Sequence, residues 1–428
     1  MSRSLVFFGL IAFAFNAHAQ NVLIKNATVH TAASQGTLNN TDVLVQGGII
    51  RAVGRNLPAP AGVRSVDAQG KPLTPGLFAG ISHIGLEEIS QEDSSVDANL
   101  NLKTGDTGLI ETLRPEFDVT RAYNPRSTLL AVARVGGMSF TALGTDGALL
   151  SGQGGGMRRD GGYEPIAGKR LPFSSIGAIK LGQSGASRAA QFMLLEQAFN
   201  EAKAPTPGDE RLLTGQGRNA LNQAMASQRF LVSVNREADI RQVLKLAQKY
   251  AIRVALVGAS EAWRVADQLA AANIPVFIDA TEALPSSFDQ IGSTEYNAML
   301  LKRAGVSVSF INGNDGSHNA RKLRQIAGNA VANGLPWEAG LAGITSAPAK
   351  ALGVDAQVGS IEVGKSADLV LWTGDPLEVS STAAAMWLQG KETPLVSRQT
   401  LLRDRHLAPA NGLPRAYPPT GISKQLKK

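Results

Sequence analysis

Hydrophobic and polar positions change their period along this chain, and the changes mark its parts. From 21 to 73, apolar residues alternate with polar ones in short runs, first Val22 to Val29 and then Asp42 to Val53. Strict alternation is the signature of half-buried strands. Gly47-Gly48 between two such runs is a hairpin signal. From 229 onward the pattern alternates between strand and helix. Strands are predicted at 230–234, 253–257, 275–278 and 306–311. Helices are predicted at 238–250, 261–272, 295–304 and 320–333. Four strand–helix units in series imply a parallel sheet with covering helices. From 359 to 400 the alternation returns, with ADLVLW at 367–372 and AMWLQGK at 385–391. The expected fold is α/β: a (β/α)8 TIM-like barrel over 74–355, with a small β-sandwich from both chain ends, 20–73 and 356–428. A barrel of this kind takes about 250 residues. An open doubly wound sheet is the alternative, but no Gly-rich dinucleotide turn sits between a strand and a helix here.

The stretch between 74 and 228 is less regular. Strand candidates are 73–81, 136–143 and 176–181. Helical stretches at 185–203 and 215–227 flank Pro205-Thr206-Pro207-Gly208 and read as an insertion. GQGGGMRRDGG at 152–162 reads as a flexible loop. GSIEVGKS at 359–366 matches the P-loop pattern letter for letter, but a P-loop needs a strand before it and a helix after. Here alternating residues precede and a strand follows, so a β-turn is expected.

Composition narrows the chemistry. The chain has 428 residues, no cysteine and five histidines, at 18, 30, 83, 318 and 406. Without cysteine there are no disulfides, thiolate zinc sites or cysteine nucleophiles. Residues 1–19 read as a signal peptide: Arg3, an apolar run from Leu5 to Phe15, and Ala17-His18-Ala19 before the cleavage point. That predicts a secreted, periplasmic protein starting at Gln20. No later run is long enough to span a membrane. The net charge of +7 gathers toward the C-terminus without interleaved aromatics, so nucleic acid is not an expected partner. A small-molecule substrate or ligand is.

Two segments carry candidate chemistry. LTPGLFAGISH ends an apolar strand on His83, with Glu87 and Glu88 following. FINGNDGSHNAR, at 310–321, puts Asp315 just past another strand end, ahead of His318 and Arg321. Strand C-termini open onto the active-site face of a barrel. A carboxylate there suits a metal ligand, a general base or a helix cap. Asn235, Arg236 and Arg264 are candidates for a substrate carboxylate, because arginine binds one bidentately. Pairing of the arginines with Asp239 or Asp267 is the structural alternative.

These segments, with ITSAPA at 344–349, VGSIEVGKSADLVLW at 358–372 and GDPL at 374–377, resemble the amidohydrolase superfamily, in its imidazolonepropionase-like and prolidase-like branch. The resemblance implies the barrel with its β-sandwich, hydrolysis of carbon–nitrogen bonds, and a divalent, zinc-type metal at the barrel mouth. A metal-bound water there becomes hydroxide at neutral pH. By resemblance, His83 and Asp315 are metal ligands, and Lys180 is the bridging lysine. Asp315 is also the proton shuttle, and His83 or His318 polarises the carbonyl. Ile81 and Ser233 stand where the family has histidines, and Val257-Gly258-Ala259 lacks the next one. A tight site takes at least three protein ligands. The alternative expectation is therefore a non-catalytic relative that binds a ligand or pairs with a homologous subunit.

Overall fold

The computed structural model describes residues 21–100, 113–145, 148–177, 180–181, 184–185, 187–204, 211–313 and 316–407. The signal-like segment and Asp315 lie outside the described residues.

The N-terminal alternation folds as expected. Strands β1 (Val22–His30), β2 (Thr37–Gln46) and β3 (Ile49–Gly54) form an antiparallel meander, and β4 (Arg64–Asp67) and β5 (Pro72–Pro75) run parallel to β1. The chain then enters the barrel through β6 (Leu77–Ser82), β7 (Met138–Leu143), β8 (Gly152–Arg158) and β9 (Arg170–Ser175). A two-strand hairpin, β10 (Lys180–Leu181) and β11 (Ser184–Gly185), follows. The barrel resumes with β12 (Arg229–Val234), β13 (Arg253–Gly258), β14 (Val276–Ile278) and β15 (Val308–Phe310). After it, β16 (Leu369–Trp372), β17 (Ala383–Leu388) and β18 (Lys391–Glu392) return to the first sheet, with β16 antiparallel to β5. Both chain ends thus share one eight-stranded sheet. As expected of a second domain built from both chain ends, it has its own apolar core around Ile24, Ile50, Leu73 and Trp387.

The barrel is an eight-stranded sheet in the order β15-β14-β13-β12-β9-β8-β7-β6. Seven strands run one way. Only β8 is reversed, antiparallel to both β7 and β9. Between β6 and β15 the ring is bridged by main chain that is not strand. Phe78 N–H donates to Ile344 O at 2.8 Å, and Phe310 N–H donates to Gly343 O at 3.0 Å. Phe78, Phe140 and Phe277 pack inside, with ring centroids 5.2 and 6.2 Å apart.

Two expectations fail in the first half. The glycine-rich segment at 152–158 is no flexible loop but the buried strand β8. A Cβ on Gly154 would lie 1.9 Å from Leu143 O, so glycine is what lets these strands approach. The strand expected at 176–181 lies earlier, as β9.

The described α-helices are α1 (Thr128–Val135), α2 (Arg188–Lys203), α3 (Gly215–Ser227), α4 (Glu237–Tyr250), α5 (Ala266–Ala271), α6 (Asn297–Arg303), α7 (Leu323–Ala332), α8 (Trp337–Ala342), α9 (Ser346–Ala351) and α10 (Arg398–Leu407). Helix α4 shows why such segments form. Its apolar residues Ile240, Val243, Leu246, Ala247 and Tyr250 recur at three- and four-residue spacing and are buried. It ends on Ala251 in the left-handed conformation, φ 54°.

The P-loop-like octapeptide is a turn. Gly364 N–H donates to Ile50 O and Lys365 N–H to Glu362 O, so these amides are taken by main chain. Lys365 Nζ is held by Ser360 Oγ and Glu362, both at 2.6 Å. The sheet is tied to the barrel by a buried ion pair, Arg158 to Asp368 at 2.8 Å. His30 stacks on Trp337 with centroids 4.6 Å apart.

Candidate active site at the barrel mouth

The C-terminal ends of the parallel strands converge on one mouth, and β6 delivers His83 to it. The His83 backbone N–H donates to Ser317 Oγ at 3.0 Å, which pins the strand end to the loop after β15. On the imidazole, Nδ1 lies 3.8 Å from Glu87 Oε2. Nε2 faces the end of β7, where a Cβ on Gly144 would stand 3.9 Å away. That same point is 3.0 Å from Ile81 Cγ2 and 3.9 Å from Phe173 Cε1, so an apolar wall adjoins Nε2.

Glu87 is buried, at 6% exposure. Burial pushes its carboxyl pKa up. The Ser317 hydroxyl and the neighbouring imidazoles of His83 and His318 outweigh that and hold it below its ordinary value. Glu87 is therefore an ionised carboxylate beside an imidazole. Glu88 turns away and accepts from Thr128 N–H and Oγ1 at the start of α1, at 3.1 and 2.8 Å. His318 reaches the same corner, with Nε2 3.3 Å from Glu88 O.

A second group sits across the loop after β15 and was not foreseen from sequence. Asp279 follows β14 and accepts from Thr281 N–H and Gly313 N–H, both at 2.9 Å. Three residues on, Glu282 accepts from Ser260 Oγ at 3.0 Å and Gln290 Nε2 at 3.2 Å. Burial raises the Glu282 pKa and the Asp279 charge adds to it, against the bonds from Ser260 and Gln290. A Cβ on Gly313 would lie 3.0 Å from Glu282 Oε1, while Gly316 abuts Ile81 O. Gly313 thus lies beside Asp279 and Glu282, and Gly316 and Ser317 lie beside the strand end that carries His83. The available signal was the run Asp279-Ala280-Thr281-Glu282 directly after an apolar strand. Its partners come from three separate segments, which no local spacing reveals.

The other candidates fall as follows. Asn235, past β12, accepts from Ser260 Oγ at 3.1 Å. Arg236 donates to Asp239 at 3.0 Å, and Asp239 also takes Arg188 at 2.6 Å. The Arg264 guanidinium lies over Trp263, 4.6 Å from the ring centroid. Lys180 is on the backbone of β10, outside the barrel ring. Gly258 ends β13 at φ 82°, and a Cβ there would come within 2.6 Å of Asn235 Oδ1. A larger residue at that strand end would displace Asn235.

The implied zinc-type metal can be tested against these donors. Among the described residues, no group of three or more His, Asp or Glu side chains is placed to hold a metal ion. Ile81, beside His83 Nε2, offers no donor. The described residues alone do not make up such a site.

Residues 277–397 match the family model described as the amidohydrolase family. An amidohydrolase from Thermotoga maritima superposes over 88% of this chain and 100% of its own, with TM-score 0.75 and 23% identity. The chain shares the fold of that protein, and its residues 277–397 carry the sequence likeness to the amidohydrolase superfamily. Within it, sequence likeness runs to an imidazolonepropionase from Pseudomonas aeruginosa, 37% identical over 111 residues, 25% of this chain and 26% of that protein. A dihydroorotase from Pelobacter propionicus is 46% identical over 68 residues, 16% of this chain and 15% of that one. Each match spans under a third of the curated relative's length. Among the described residues, no helix is long and apolar enough to cross a membrane.

Proposed function

We propose that this chain is a hydrolase of carbon–nitrogen bonds in small amide or cyclic amide substrates, working at the barrel mouth with an altered donor set. The observation that carries the reading is the His83–Glu87 pair: a buried carboxylate held ionised at Nδ1, with Nε2 turned to the strand ends. A carboxylate in that position orients an imidazole and stabilises its protonated form. His83 takes the proton from a water as its oxygen bonds to the substrate carbonyl carbon. The carbon–nitrogen bond then breaks, and a proton must reach the departing nitrogen. Glu282 suits that second role, since a raised pKa keeps a carboxyl protonated nearer neutrality. Asp315, a base by the family resemblance, is the other candidate. The relatives' printed names, imidazolonepropionase and dihydroorotase, support the substrate class.

The test is a substrate panel of acyl-amino acids, dipeptides, lactams and lactones, with protein purified natively and assayed with and without added divalent metal. Turnover of at least one amide supports the reading. No turnover under either condition overturns it. Stoichiometric metal, removable by chelator with loss of activity, would overturn the altered-donor part.

A second reading has its own support in the apolar wall of Ile81 and Phe173 beside His83 Nε2. In it the mouth binds a ligand without cleaving it, alone or beside a homologous subunit. Ligand binding without turnover selects it. We also propose export, on the signal-like residues 1–19. A mature N-terminus other than Gln20 on the secreted protein would count against cleavage after Ala19.

A further inference from the structure

The two strands that open the regular half of the barrel begin with arginine. Arg229 and Arg253 are direct neighbours in the β12–β13 register, at the end of the barrel away from the mouth. Like charges side by side in a sheet repel. Arg229 is half-buried, and its Nε is a buried donor with no acceptor. Its Nη1 is anchored on Ala351 O at 2.7 Å, which fixes the guanidinium in place. Burial and the Arg253 charge together lower its pKa, with Asp355 compensating only in part.

These arginines line a groove of about 990 Å3 between α4 and α5. Arg241 and Lys245, one turn apart on α4, add two more cations. Gln248 and Asn273 add amide donors, and among the described residues no carboxylate lines the groove. Arg241 is shared with Glu237 at 2.8 Å. The carboxylates of the barrel mouth lie at the opposite ends of these strands. The groove thus gathers four cations, of which Arg241 is paired with Glu237 and Arg229 and Arg253 stand side by side.

We infer that this groove is a binding site for a small multivalent anion, separate from the barrel mouth. The ligand carries at least two phosphoryl or carboxylate groups, spaced to meet Arg229 and Arg253 at one end and Arg241 and Lys245 at the other. Such groups accept charge-assisted hydrogen bonds from arginine and relieve the repulsion between the cations. The volume is at the upper end of the usual range for a small-molecule pocket.

Isothermal titration calorimetry of the mature chain tests this, with tripolyphosphate and citrate as probes. The expected result is one equivalent bound at low salt for at least one probe, with affinity falling as salt rises. Lys245→Gln and Arg253→Gln should each weaken binding at least about tenfold, the loss of a charge-assisted contact. Lys169→Gln, elsewhere on the surface, should leave it unchanged. Binding of tripolyphosphate alone assigns a phosphoryl site, and binding of citrate as well assigns a general polyanion site. No binding of either probe to the wild-type chain overturns the proposal. So does equal weakening by Lys169→Gln, which would mark a diffuse surface effect.

Discussion

The two halves of the barrel are built differently, although they share one ring. From β12 to β15 the strands are parallel, each followed by a helix or helical turn, and the helices bury one face. From β6 to β9 the ring contains a reversed strand, β8, made largely of glycine. The first half also holds Arg159, a fully buried arginine whose three nitrogens all lack a hydrogen-bond partner among the described residues. Burial, chiefly, brings its pKa down to about 10, with Tyr123 opposing and Arg134 assisting. The regular half supplies Glu282 and the irregular half supplies the imidazole and its carboxylate. His83 and Glu87 belong to the irregular half.

The same substitution in both halves should sharpen this contrast. Gly154→Ala brings a methyl onto Leu143 O, main chain that cannot swing aside. It should destabilise by about 3 kcal/mol or more, read from the urea midpoint. Gly258→Ala, in the regular half, meets the movable Asn235 side chain at a left-handed φ of 82°. Its cost should be smaller, about 1–2 kcal/mol. Equal costs would break the comparison.

Arg159→Met should act in the opposite sense. A depressed arginine pKa means the unfolded chain binds the proton more tightly, so at neutral pH the buried charge weakens the fold. Its removal should stabilise by about 2 kcal/mol. The gain should shrink as pH rises through about 10, where the native arginine loses its proton and the wild type recovers. A destabilised Arg159→Met would show that an unseen partner satisfies the guanidinium.

The two mouth carboxylates should give the smallest effects, and of opposite sign. Glu87 has a lowered folded pKa. It stabilises above its unfolded value of about 4.5 and loses that contribution as pH falls through the lower folded value. Glu87→Gln should therefore cost about 1 kcal/mol at neutral pH and little in acid. Glu282 has a raised folded pKa. Its stabilising contribution is present in acid and lost as pH rises through the folded value. Glu282→Gln should then be neutral or mildly stabilising at pH 7. Thermal melts across pH would separate the two.

Legibility from sequence follows the same division. The regular half was readable because its helices bury one face at a 3.6-residue period and its strands are short apolar runs. The helix at 238–250 and strands at 230–234 and 253–257 match α4, β12 and β13 within a residue. Strand β8 was not readable, since glycines carry no hydrophobic signal and its burial comes from backbone contact with β7. Pro172 concealed β9, because proline argues against a strand interior; it is tolerated opposite Gln153 in the antiparallel pair. His83 was legible as the last polar residue of an apolar strand. The choice between Glu87 and Glu88 was not, because it depends on which one turns toward the imidazole. Glu282 depends on Ser260 and Gln290, which only the folded ring brings together.

The central claim is that His83, oriented by Glu87, does the proton transfer at the mouth. The most direct measurement is kcat/KM of wild-type, His83→Gln and Glu87→Gln proteins on an amide substrate from the panel, with folding checked by circular dichroism. Loss of a general base typically costs about 10²–10⁴-fold. The account predicts a fall of at least about 100-fold for His83→Gln and a smaller fall for Glu87→Gln, both in kcat. A folded His83→Gln protein that retains the wild-type kcat/KM would contradict it.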